Sequence, residues 1–289
     1  MPYASEIVAY VESILGPMQW PNDFRDAPIF GIGLPSNADM GDMAWSNFAD
    51  KPLNGSLLFC KDETIGGNCI LCEDPKMAFV LAASHFFSEL TRTEWMGSMT
   101  GLHPSFRLVP GTVIGSNTQI GENVTVGPNT SIANAVISDN VKIGANCAIG
   151  LDGFGFAVDK SGRRHRFPHI GRVIIEEDVE IDCGVCIDRG TLTDTVLKEG
   201  VRIDNHCHVA HDVILGKNVA LGPGVTFGGH AVIGDNTWVG LGSNIKEHVT
   251  VGANSLIGMG ANVVKNVPDG KVAIGNPAKI IRDKNGNDL

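Results

Sequence analysis

Nine consecutive residues carry much of the reactive chemistry in this chain. Asp204-Asn205-His206-Cys207-His208-Val209-Ala210-His211-Asp212 sets three histidines beside two aspartates. An imidazole that titrates near neutrality is the usual proton acceptor for a nucleophile attacking a carbonyl. The step along the chain from Asp212 to His230 equals the step from His230 to His248. Gly229 follows His211 by that same step. A lone histidine of this kind is ordinarily solvated. The shared spacing beside a carboxylate is what singles these out, and it calls for an element that stacks residues at this interval.

The chain supplies such an element. Ile203, Val209, Leu215, Leu221, Phe227, Ile233, Val239, Ile245, Val251, Ile257 and Val263 recur in a strict six-residue pulse. Upstream the same pulse runs through Ile114, Ile120, Val126 and Ile132, then Ile137, Ile143 and Ile149, then Ile175, Ile181 and Ile187. The residue four later is small or β-branched, as at Thr130, Cys147, Val185, Cys207, Val225 and Ser243. A helix would repeat at 3.6 residues and a flat strand at 2. A six-residue unit makes a short strand plus a turn. Three such units close a triangular coil whose turns stack as parallel strands, and one coil equals the step between the histidines. The predicted fold class is therefore β: a parallel β-helix of hexapeptide repeats, with a small N-terminal α/β domain. In it Asp212, His230 and His248 form a column up one edge. His211 lies under Gly229, whose backbone N–H is open to approach as an oxyanion donor. Asp212 is placed to orient His211 or to hold a substrate hydroxyl.

The predicted organisation is a small α/β domain over 1–95, a link over 96–104, the coil over 105–270 and a tail over 271–289. Two breaks interrupt the coil. One is an insertion over 151–171, with Gly153-Phe154-Gly155-Phe156 and a basic patch. The other is at Asp188–Val196, where the step from Ile187 to Leu197 is ten. Long loops leaving a rigid solenoid are usually functional.

A net charge of −10 and a pI near 5.3 argue against a nucleic-acid partner. No run of apolar residues is long enough to cross a bilayer, so no transmembrane segment is expected. Met1–Gly16 carries Glu6 and Glu12 without a basic start; it reads as an amphipathic helix over Ser5–Leu15, not a signal peptide. Of seven cysteines, Cys69/Cys72 and Cys183/Cys186 are CxxC pairs. Four thiolates could bind zinc, but Cys183 and Cys186 fill coil positions, so the expectation is no metal and a reduced, cytoplasmic protein.

The stretch from Gly153 to Asp212 resembles the UDP-3-O-acylglucosamine N-acyltransferase (LpxD) family of hexapeptide-repeat acyltransferases, active in lipid A synthesis. The matching pieces are Gly153-Phe154-Gly155-Phe156, Pro168-His169-Ile170-Gly171, Asp188-Arg189-Gly190, Asp194-Thr195, Asp204-Asn205 and Ala210-His211. The resemblance implies a left-handed coil, a homotrimer with sites at subunit boundaries, and acyl transfer from a thioester to the amine of a nucleotide-linked amino sugar. It makes His211 the base, Gly229 the oxyanion donor and His248 an assisting histidine. It puts Asp188, Asp204, Asn205, Asp212, His230, Phe154 and Phe156 near the substrate.

The N-terminal region resembles the family's uridine-binding domain more faintly, through Gly41-Asp42 and Asp74-Pro75 ahead of Ala78-Phe79. Asp74 and Lys76 stand where that family has an Asn and an aromatic residue, which leaves Trp45 or Phe79 for stacking on uracil. The donor is acyl carrier protein or coenzyme A, with no bound cofactor. In place of the family's helical extension, Gly275-Asn276-Pro277-Ala278-Lys279 resembles the closing turn of acetyl-CoA enzymes, with Lys279 and Arg282 available to coenzyme A phosphates. Three other readings compete. One is an acetyl-CoA-dependent N-acetyltransferase for surface polysaccharide. Another is a γ-type carbonic anhydrase with His206, His211 and His230 on zinc. The last is a β-helix that binds sugar without catalysis.

Overall fold

The computed structural model describes residues 1–34, 38–46, 57–61, 68–95 and 101–284. Residues 96–100 of the expected link and 285–289 of the tail lie outside them. The chain forms two compact units: Met1–Arg92 with Gly155–Pro168, and Thr93–Phe154 with His169–Leu289.

The first unit is α/β. Helix α1 (Ala4–Leu15) precedes four parallel strands in sequential order: β1 (Gly31–Ile32), β2 (Asp42–Trp45), β3 (Leu57–Cys60) and β4 (Cys69–Leu71). Helix α2 (Pro75–Phe86) follows. The Asp74 carboxylate accepts the Met77 N–H at 3.1 Å and Pro75 opens the helix, so Asp74-Pro75 is a helix start. Ile7, Val8, Val11, Met43, Leu57, Phe59, Ile70 and Phe79 are fully buried, the core of this unit. The antiparallel hairpin Phe156–Val158/Arg164–Arg166 groups here rather than with the coil, and Phe167 lies 5.9 Å from the Phe79 ring.

The second unit is the coil. Three sheets of seven, eight and nine strands stack along it, all parallel except for the last strand of the nine-stranded sheet. Ile203 pairs with Leu221, Leu221 with Val239, and Val239 with Ile257, each three repeats further on. The inward slots are filled as their size requires: Thr130, Val185, Val213, Val225, Ser243 and Ala261 are all fully buried. Corner residues take left-handed backbone angles, from Asn117 through Asn254, a conformation that Asn, Asp and His tolerate better than other side chains.

The two breaks leave the sheets intact. Ile143 pairs with Ile181 across the long insertion, and Ile181 with Ile203 across the short break. The surplus chain is expelled from the corners. At the far end Lys271–Ile274 still pairs with the coil, and Lys279–Asp283 folds back on it antiparallel. The end of the repeat is thus a fold-back strand, and the sheet continues past Gly270.

The expectation that every cysteine is a reduced thiol needs one correction. Cys60 and Cys69 are joined by a disulfide between β3 and β4, because strand register sets Cys69 beside Leu58, diagonal to Cys60. Cys72, Cys147, Cys183, Cys186 and Cys207 are free thiols. Cys147 and Cys207 are core atoms, and burial pushes the Cys207 thiol up to about 11. No helix among the described residues is long and apolar enough to cross a membrane.

Candidate active site

The site is built at one edge of the coil, where the eight-stranded sheet turns into the seven-stranded one. His208–Val209 belongs to the first and Ile214–Leu215 to the second, so His211 and Asp212 form the corner between them. Asp212, His230 and His248 share a left-handed backbone at φ 59°, 61° and 60°. The His230 N–H donates to the His211 carbonyl at 3.0 Å, and the His248 N–H to that of Gly229 at 3.0 Å. Three coils thus stack the column that the equal spacing predicts.

Asp212 is the buried anchor, with a side chain 2% exposed. The short second break wraps it. Thr191 donates to it through its backbone N–H (3.1 Å) and its hydroxyl (2.7 Å), and the Thr193 hydroxyl donates to the other oxygen. Thr195 Oγ1 accepts the Asp212 N–H at 2.8 Å. Burial opposes the ionised carboxylate. Hydrogen bonds from His211, Thr193 and Thr191 outweigh it and hold the Asp212 carboxyl well below the usual range.

His211 Nδ1 lies 2.8 Å from Asp212 Oδ2. An ionised carboxylate accepts only, so Nδ1 carries the proton and Nε2 presents a lone pair. The ring rests on Gly229. A Cβ there would meet His211 Cε1 at 2.5 Å and Nε2 at 2.8 Å, so only glycine leaves the imidazole in place. No described residue accepts a hydrogen bond from the Gly229 N–H. Gly153 approaches from the insertion: its Cβ would meet Asp188 Oδ2 at 2.8 Å and His211 Cδ2 at 3.1 Å. His230 packs edge-on to His211, with ring centres 5.3 Å apart, and stacks flat on His248 at 4.7 Å.

Other expected residues fall variously. Asp188 sits by His208, with 3.7 Å between Oδ2 and Nε2; burial pushes its carboxyl up, against the pull of His208 and His211. Phe154 is 84% exposed, one residue from Gly153. Phe156 belongs to the first unit and lies under the Arg166 guanidinium. Asp204 and Asn205 are not brought to His211. They occupy the preceding corner, where Asp204 Oδ1 accepts the Asn205 backbone and side-chain N–H groups at 2.7 and 2.8 Å. In the first unit Phe79 is fully buried core, while Trp45 is half-buried. A cavity of about 320 Å³ there is lined by Leu15, Met18, Met77, Leu81, Asp159 and Lys160, among others, and by neither aromatic. Lys279 and Arg282 are exposed on the fold-back strand.

Sequence reasoning missed Thr191 and Thr193, and it quoted His169 and Thr195 only within matching motifs, with no role for either. The His169 ring is fully buried and edge-on to His211 at 5.7 Å. Among the described residues, the side chains whose donor atoms could share a metal ion are His211, Asp212 and His230; His206 is not one of them.

Coil, repeat and corner define the class, a hexapeptide-repeat β-helix, and a family model described as bacterial transferase hexapeptide (six repeats) matches residues 194–229. Within that class, part of the chain is similar to UDP-3-O-acylglucosamine N-acyltransferases. It is 53% identical over 73 residues to a UDP-3-O-acylglucosamine N-acyltransferase of Francisella tularensis subsp. holarctica, covering 25% of this chain and 22% of the relative. It is 34% identical over 126 residues to the enzyme of that name from Anaeromyxobacter dehalogenans, covering 42% and 34%. These matches span between about a fifth and a third of the relatives' length. The solved structure of UDP-N-acetylglucosamine acyltransferase from Campylobacter jejuni is similar at 25% identity and a TM-score of 0.52, over 63% of this chain and 74% of that one.

Proposed function

We propose that the protein is an N-acyltransferase that moves an acyl group from a thioester to the amine of a nucleotide-linked amino sugar. The observation that carries this reading is the His211 ring. Asp212 fixes it through Nδ1, it lies flat against Gly229, and its Nε2 is left to accept a proton. The names of the relatives supply the substrate class: UDP-3-O-acylglucosamine and N-acyl transfer.

The neutral amine attacks the thioester carbonyl, forming the C–N bond and an oxyanion. His211 Nε2 takes the amine proton, and the Gly229 N–H donates to the oxyanion. The intermediate collapses, the C–S bond breaks, and the sulfur leaves with the proton held on Nε2. Asp212 stabilises the imidazolium formed between the two steps. His248 reaches the same site through the His230 stack and contacts the sugar. Asp188 and the exposed Phe154 ring line the approach from the insertion.

Of Trp45 and Phe79, Trp45 is the one that a nucleobase could reach, since Phe79 is core. The donor is acyl carrier protein or coenzyme A, and either sets the reaction in the cytoplasm. Lys279 and Arg282 favour coenzyme A phosphates. The working assembly is a trimer. Exposed Trp238, Leu241 and Met259 give the coil an apolar stripe suited to burial against a second copy.

A donor panel tests the reading. Acetyl-CoA, longer acyl-CoAs and hydroxyacyl carrier protein are each offered with several nucleotide amino sugars, and the amide is detected by mass. An amide formed by the parent and lost in His211→Ala is expected. An amide formed equally by both removes His211 as the base.

A further inference from the structure

The corner that holds the base also has the makings of a metal-ion site. His211 Nδ1 lies 2.8 Å, and His230 Nε2 3.7 Å, from the same Asp212 oxygen, and the donor atoms of the three side chains all lie within 4.8 Å of one another. Tetrahedral zinc with nitrogen and oxygen ligands at about 2.1 Å needs its donors roughly 3.4 Å apart. The rings therefore need to shift only on the order of 1 Å. The carboxylate is clamped by the Thr191 and Thr193 hydroxyls, so its oxygens are held in place for a cation. His230 is half-exposed, so solvent can supply a water as a fourth ligand.

We propose that His211, Asp212 and His230 bind a divalent transition cation, zinc foremost, and that this cation switches the edge off. Two imidazoles and one carboxylate suit zinc, copper or nickel and not magnesium or calcium. The cation replaces the proton between His211 Nδ1 and Asp212. That proton moves to Nε2, so the nitrogen that must accept the amine proton becomes an N–H donor. The binding site stands on geometry alone; its inhibitory effect rests on the acyl-transfer reading.

Chelator-treated protein is titrated with Zn²⁺ by calorimetry and with Co²⁺ by absorbance. One saturable site per chain is expected, absent with Mg²⁺. The Co²⁺ spectrum should show nitrogen and oxygen ligation without thiolate charge-transfer bands. His230→Gln should weaken binding about tenfold or more at unchanged thermal unfolding. Cys183→Ser with Cys186→Ser, removing two exposed thiols, should leave binding intact. Binding unaltered in a folded His230→Gln, a thiolate spectrum, or binding lost in the cysteine variant overturns the site. Zinc should also stop amide formation over the concentration range in which it binds, and chelator should restore it; binding without inhibition overturns the switch. Amide formation by metal-free protein that binds no zinc would leave the acyl-transfer reading standing alone. Zinc binding by protein that never acylates would leave the site alone.

Discussion

Two edges of the coil have the same backbone and different chemistry. At one, Asn218, Asn236 and Asn254 take φ values of 55°, 56° and 54°, and the Asn218 side chain donates to that of Asn236 at 3.2 Å. At the other, Asp212, His230 and His248 take φ values of 59°, 61° and 60°. The fold demands only a residue that tolerates a left-handed turn. The Asn edge meets that demand with an amide ladder and stops there. The His edge meets it with titratable side chains, and adds two devices that the Asn edge lacks. The short expelled turn brings Thr191 and Thr193 onto the carboxylate, and a bare Gly229 accepts the imidazole ring. The candidate site is thus built without breaking the sheets that carry it.

The sharpest way to break this comparison is His211→Ala. Loss of the base should lower the rate of amide formation by about 10²–10⁴-fold with unchanged thermal unfolding. Next comes Gly229→Ala, whose new methyl would lie 2.5 Å from His211 Cε1. Displacing the base should cost on the order of 10²-fold, read as a fall in kcat/KM with the circular dichroism spectrum retained.

Asp212→Asn should cost on the order of 10²-fold through the wrong tautomer of His211, and it should also change how stability depends on pH. The Asp212 carboxyl is held below its usual range, so in acid the unfolded chain binds more protons and folding weakens as pH falls. The stability that Asp212 contributes is complete above about pH 4 and is lost as pH drops through its depressed value. Urea midpoints of parent and Asp212→Asn should therefore lie further apart at neutral pH than in strong acid.

On the other edge, Asn218→Ala should cost about 1 kcal/mol for forcing alanine into the left-handed region, with no change in turnover. The smallest effect is expected at the fold-back strand. Lys279→Ala with Arg282→Ala should raise KM for a coenzyme A donor a few-fold and leave KM for the sugar alone, since exposed charge contacts contribute about 0.2–1 kcal/mol each.

Much of this contrast could be read from the sequence. The six-residue pulse announced the coil, and stacking residues three repeats apart placed His211 under Gly229 and Asp212 in line with His230 and His248. The same arithmetic fails wherever the period slips. Thr191 and Thr193 lie within the turn where the interval between paired strands widens, so no column assigns them to Asp212. His169 follows the long insertion, where that interval is widest, and only folding carries its ring to His211. Asp204 and Asn205 are neighbours of His211 in sequence, yet one strand carries them to a different corner. In the first unit no short period exists. There Phe79 looked like an exposed stacking ring and proved to be core, and the register of β3 on β4 paired Cys60 with Cys69.

The hairpin Gly155–Pro168 has a practical consequence. It leaves the coil and groups with Met1–Arg92, its Phe167 ring packed near Phe79 and its Lys160 paired with Glu73 at 2.6 Å. The N-terminal module is therefore discontinuous in the gene. A truncation that simply begins at Thr93 would keep an orphaned flap whose greasy underside has lost its seat, a recipe for aggregation. A minimal solenoid for crystallography or engineering must also delete 155–168 and bridge the gap with a short spacer. A graft of the N-terminal module onto another scaffold must in turn bring that distant segment along.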